Sequence, residues 1–218
     1  MVVGLSLATP LMAKSAKAAP EISRIMIGTT AIDVPIPQGF CLARTEKERA
    51  AEQLSAAADD RNVTHLTATR CDEQSTKMGD GEYFILKTPR DALLVTIDRK
   101  TAVAELAKAA GDPAMNFQES VNQAEDGFNK VTGAGVRLSG PIGFKGSDDL
   151  CVYLGGTLEL TSQTGKGYTK AMVLCMTTVD NKLISVNWYA PDTGETAFSK
   201  MRNQVRALVV AMSGNRRQ

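Results

Sequence analysis

Cys151 and Cys175 stand at mirror-image positions about Gln163, inside a turn-like stretch that runs from Ser162 to Gly167. The flanking runs are strand-like. A hairpin centred on Gln163 therefore sets the two cysteines directly across from each other, within disulfide reach. That leaves Cys41 and Cys71 for one another. The set is even and widely spaced, with no C-x-x-C pair of the kind that opens a zinc site. The expected pairing is Cys41–Cys71 and Cys151–Cys175, each closing a loop worth roughly 3 kcal/mol in the chain-entropy model. Four buried free thiols in a reducing compartment are the alternative.

The N-terminus bears on that choice. Val2 to Met12 is weakly apolar and too short to span a bilayer. Ala16-Lys17-Ala18 fits the small-x-small pattern of signal-peptide cleavage, although no cationic residue precedes the apolar run. Residues 1–18 are expected to be a signal peptide and residues 19–218 a single domain. The product would be periplasmic or secreted, where disulfides persist. With 25 Lys and Arg against 24 Asp and Glu, charge gives no reason to expect a nucleic-acid partner. No stable membrane span is expected either.

Two prolines in Val34-Pro35-Ile36-Pro37, ahead of Phe40-Cys41, suit an edge strand or a turn, after a loose lead-in over 19–31. Thr45 and Glu48 form a capping box for an Ala-rich helix to Ala58. Val63 to Arg70, Tyr83 to Lys87 and Leu93 to Ile97 read as strands. Asp98 caps a helix that Gly111 stops, and Asp112-Pro113 opens the next. In that second helix Phe117, Val121, Ala124, Phe128 and Val131 make an apolar stripe. Val136–Phe144, Leu150–Leu160, Tyr168–Val179 and Leu183–Ala190 read as a four-strand meander, with Asp180-Asn181 as a tight turn. A last helix from Asp192, with Glu195 at N3, buries Phe198, Met201, Val205, Leu208 and Met212. Arg202, Arg206, Arg216 and Arg217 project elsewhere. The class is α+β: a mostly antiparallel sheet flanked by helices, its C-terminal meander closed by an amphipathic helix.

No motif announces a reaction. His65 is the sole imidazole, lies in a strand, and has no G-x-S-x-G elbow beside it. Gly165-Lys166 lacks the upstream glycine of a phosphate-binding loop, and Gly133-x-Gly135 follows a helix rather than a strand. Asp59-Asp60 and Asp148-Asp149 read as solvated turns. Met172, Met176, Met201 and Met212 read as core filler. Trp188 and Tyr189, with Asn187, are candidates for lining a ligand groove. No catalytic residue, metal site or cofactor is assigned.

The Val34-x-Ile36-Pro37-x-Gly39-Phe40 opening and the stretch from Val179 to Met212 resemble the Mog1/PsbP-like α/β/α sandwich, in its exported bacterial branch. The stretch 179–212 is similar to that fold's last hairpin and closing helix. The resemblance implies a binding or accessory role with no shared catalytic motif. The expectation is an exported, disulfide-stabilised, non-catalytic protein of the bacterial envelope with a protein or small-molecule partner. An exported hydrolase or small-ligand enzyme without a recognisable motif is the alternative.

Overall fold

The computed structural model describes residues 21–72, 81–161, 165, 167–191 and 194–214. Its centre is the C-terminal meander β8 (Val152–Thr161), β9 (Gly167–Val179) and β10 (Lys182–Ala190). The β9–β10 turn is tight because Asp180 and Asn181 both take left-handed backbone, with φ of 55° and 61°. That geometry matches the twist of a two-residue hairpin. Beyond β10 the sheet continues through β5 (Tyr83–Pro89), β4 (Asn62–Arg70) and the edge strand β3 (Phe40–Leu42). On the other side β8 pairs with β6 (Arg137–Ser139) and β7 (Ile142–Ser147). Every pairing between these strands is antiparallel.

Both disulfides form as paired above, Cys41–Cys71 and Cys151–Cys175. The register differs from the expected one. Tyr153, not Cys151, lies opposite Cys175, because the hairpin closes at Thr161 opposite Gly167 and its centre falls one residue later. A two-residue slip keeps the same side chains on the same face. Cys151, just ahead of β8, still reaches Cys175 across a Cα separation of 5.3 Å.

Four other boundaries move. The lead-in is a hairpin, β1 (Ile22–Ile27) with β2 (Thr30–Pro35), whose inner side carries Ile25, Ile27, Ile32 and Val34. Val136–Phe144 is not one strand, since Gly140 and Pro141 separate β6 from β7. At Gly140 φ is 141°, and a Cβ there would collide with the Thr157 carbonyl. Leu93–Ile97 is not a strand. Both edges of β5 are taken, by β4 and β10, so the chain leaves through a 3-10 turn at Arg90–Ala92 and an irregular segment. The helix expected at Asp112-Pro113 begins instead at Phe117 behind an Asn116 cap, because the Asp112 carboxylate accepts the Ala114 N–H and forms a turn.

Helix α1 (Glu46–Ala57) has the Thr45–Glu48 capping box, and α2 (Arg99–Ala110) is capped by Asp98. Helix α3 spans Phe117–Thr132 and α4 spans Glu195–Gly214. Asp192, Arg216, Arg217 and residues 1–18 lie outside the described residues. On one face of the sheet, α4 and the β1–β2 hairpin cover the main core, with Trp188, Phe84, Cys175 and Met201 all buried. Alternate residues of the same strands point to the other face, where α2 packs on Val152, Leu154 and Met176. The result is three layers: α4 with the β1–β2 hairpin, the sheet, and helices α1, α2 and α3. No described helix is long and apolar enough to cross a membrane.

Candidate ligand-binding cavity

The second face is only partly filled. Beside α2, helices α1 and α3 stand over β4, β5, β10, β9 and β8 and enclose a cavity of about 560 Å³. The sequence explains the gap. Helix α1 turns Glu48 and Glu52, one turn apart, toward the cavity, with Leu54 as its one large apolar side chain there. Helix α3 contributes the small or polar Ser120, Gln123 and Ala124, with Phe128 as its one large apolar side chain there. The two helices meet closely at Gly127. A Cβ at that position would lie 2.0 Å from the Ala58 carbonyl oxygen, so only glycine permits the approach.

The floor is set by strand register. Tyr83 on β5 lies opposite Tyr189 on β10, and their rings stack with centroids 4.7 Å apart at 18°. Thr67 and Ile85 form the next pair along the same face. Leu158, Leu160 and Tyr168 extend the floor onto β8 and β9. Lys170 on β9 is 2% exposed. Its ammonium sits 5.0 Å from the Tyr83 ring and 5.9 Å from the Tyr168 ring, and donates to the Gly81 carbonyl. A cation over tyrosine faces is attracted by their quadrupoles. Burial pushes the Tyr83 hydroxyl well above its ordinary range, and Tyr189 and Tyr168 add to this. Burial raises Tyr189 likewise. These hydroxyls are neutral at physiological pH.

The charged wall is mostly committed. Burial works to raise Asp59, but the Lys87 ammonium at 2.6 Å and the Asn62 amide outweigh it and hold the carboxyl below the ordinary range. Glu48 accepts the backbone N–H groups of Arg44 and Thr45. Glu82 accepts from the Trp188 indole. Glu52 differs. Burial and the neighbouring Glu48 push its carboxyl up to about 7, against a smaller opposing pull from Arg49. No hydrogen bond or ion pair to it occurs among the described residues.

Of the three groove candidates, Tyr189 lines this cavity. Asn187, two residues back on the same face, is buried and donates to the Ile85 carbonyl and the Ser185 hydroxyl. Trp188 points to the opposite face, where its ring packs 5.0 Å from both Phe84 and Phe40. Tyr83, Tyr168 and Glu52 escaped sequence reasoning. The signal available for them was period two within β5 and β9, together with the polar stripe on α1.

His65 sits at a bulge in β4 between Thr64 and Leu66. It is half-buried, burial lowers its pKa, and its Nε2 has no hydrogen-bond partner among the described residues. It does not line the cavity. Asp148 and Asp59 occupy turns, yet both are tied down rather than merely solvated. Asp148 accepts from the Leu150 and Cys151 amides, the Tyr153 hydroxyl and the Arg206 guanidinium. Met201 and Met212 are core, and Met172 is buried on the sheet. Among the described residues no group of three or more His, Cys, Asp or Glu side chains is placed to hold a metal.

No protein-family model and no curated protein matches this chain. Weak similarity extends to solved structures. One is the solution structure of cyanobacterial PsbP (CyanoP) from Synechocystis sp. PCC 6803, at 13% identity over 93% of this chain and 97% of that one, with a TM-score of 0.36. Another is the Ran-binding protein Mog1p of Saccharomyces cerevisiae, at 11% identity over 89% of this chain and 95% of that one, with a TM-score of 0.33.

Proposed function

We propose that this chain is an exported binding or accessory protein of the bacterial envelope that acts without catalysis and holds a small ligand between its sheet and helices α1 and α3. The cavity carries the reading. At about 560 Å³ it has the size of small-molecule sites, and it joins an apolar, aromatic floor to a few polar groups. The two disulfides and the Ala16-Lys17-Ala18 pattern support export. His65, the one imidazole, lies outside the cavity, which gives the hydrolase alternative no support there.

Binding of the neutral dye Nile red tests this directly. A blue-shifted, saturable emission at one dye per chain is expected. Thr67→Trp, which fills the floor with a residue suited to a strand, should abolish it while the far-ultraviolet circular dichroism stays unchanged. Dye binding that survives Thr67→Trp, or no saturable binding at all, refutes the cavity as a ligand site. Export is tested separately, by sequencing the N-terminus of the mature protein from an envelope fraction. Ala19 is the expected first residue.

A further inference from the structure

The charges around the cavity do more than mark its rim. Asp59 is matched by Lys87. Glu48 is used by the α1 capping box, and Glu82 by the Trp188 indole. Lys170 is already seated on the tyrosines and the Gly81 carbonyl. Asp60 and Arg61, adjacent in sequence, are exposed at the edge. An anion entering this space meets ammonium groups that already have partners. A cation meets two carboxylates with no hydrogen bond or ion pair among the described residues: Asp60, exposed at the edge, and Glu52, half-buried on a helix facing three tyrosine rings.

Resting on the reading of this cavity as a ligand site, we infer that it selects a hydrophobic cation, an organic amine or quaternary ammonium whose charge faces Glu52 and whose apolar body lies on the Tyr83–Tyr189 floor. The floor tolerates a cation close by, since the Lys170 ammonium already rests on the faces of Tyr83 and Tyr168. Selection would be by charge. A neutral molecule of the same shape gains only apolar contact, and an anion of that shape is repelled by Glu52. The other charged groups facing this space are Glu48 on α1, the Lys87–Asp59 pair, Asp60 and Arg61 at the edge, Glu82, and Lys170 against the tyrosine rings; Arg49 acts on Glu52 along α1, and Ser120 and Gln123 of α3 do not titrate. Over the range in which Glu52 ionises, the cation should bind more tightly as pH rises.

Three probes with one tail test this by calorimetry below their micellar concentrations: octyltrimethylammonium, octyl sulfate and octanol. At about pH 8 the ammonium is expected to bind roughly five- to tenfold more tightly than octanol, and the sulfate more weakly than either. Glu52→Gln should erase the ammonium's advantage and leave octanol binding unchanged. The inference is overturned if octyl sulfate or octanol binds as tightly as the ammonium, or if Glu52→Gln leaves the preference intact. Either result with Nile red still bound leaves the ligand-site reading standing. Loss of all three probes together with Nile red instead takes down that reading as well.

Discussion

Glu52 is a residue that the fold tolerates rather than needs. Its carboxyl holds a proton more tightly in the folded chain, at about 7, than at its ordinary 4.5. Folding stability attributable to it is therefore undiminished at low pH and falls as pH rises through that window. Glu52→Gln should leave the melting temperature unchanged near pH 4. Near pH 8 it should raise stability by roughly 1 kcal/mol, after discounting for solvent screening, as thermal unfolding at the two pH values would show. Asp148 has the opposite sign. Burial works against its ionised form, but two backbone amides, Tyr153 and Arg206 hold its pKa below the ordinary 3.8. Its contribution is present above that value and disappears as pH falls through the folded one. Asp148→Asn should cost about 2 kcal/mol at neutral pH, and the gap to the parent should close in strong acid. Neither role was legible from the sequence. The Asp148-Asp149 pair looks like any polar turn until Arg206 arrives from α4, 58 residues away. Tyr189 was identifiable as a groove candidate, whereas Tyr83 and Tyr168 reach it only through the cross-strand registers of β5, β10 and β9.

At the scale of elements, what was legible was what is local. The capping box at Thr45, the Asp98 cap and the Asp180-Asn181 turn are short-range chemistry, and each appears where expected. A β-branched residue cannot take the left-handed backbone of that turn cheaply. Asp180→Val should cost roughly 1–2 kcal/mol, measurable by denaturant unfolding, while Asn181→Gly should be close to neutral. Less legible were elements decided by neighbours far along the chain. Leu93–Ile97 has strand composition, but β10 has already taken the edge of β5 that it would need. The β1–β2 hairpin does show alternation at Ile25, Ile27, Ile32 and Val34. Interleaved Arg24 and Asp33, which pair at 2.7 Å on the outer side, gave it the look of a polar lead-in. The Cys151–Cys175 pairing survived a wrong register because the error was an even number of residues.

For the molecule as a whole, one of the two cross-links, Cys151–Cys175, holds the sheet on the face opposite the cavity. Cys151 and Cys175 lie in the same core as Trp188 and Met201. Replacing both with alanine should lower stability by roughly 3 kcal/mol. It should leave Nile red affinity unchanged under conditions where the variant is folded, because the disulfide and the cavity sit on opposite sides of the strands. Alkylation of the oxidised protein should find no free thiol, and after denaturation and reduction it should find four, since all four cysteines are paired.

Under the proposed function, the second sheet face, beneath α1 and α3, is where this protein meets its ligand. The most direct measurement is a backbone amide NMR titration of the labelled full chain with octyltrimethylammonium at about pH 8. The predicted result is a saturable set of shifts confined to that side, at Thr67, Tyr83, Ile85 and Tyr189 on the floor and at Glu52 and Ala124 on the helices, with Cys151 and Met201 unmoved. Shifts centred on α4 and the β1–β2 hairpin, or a spectrum that does not change, would contradict it.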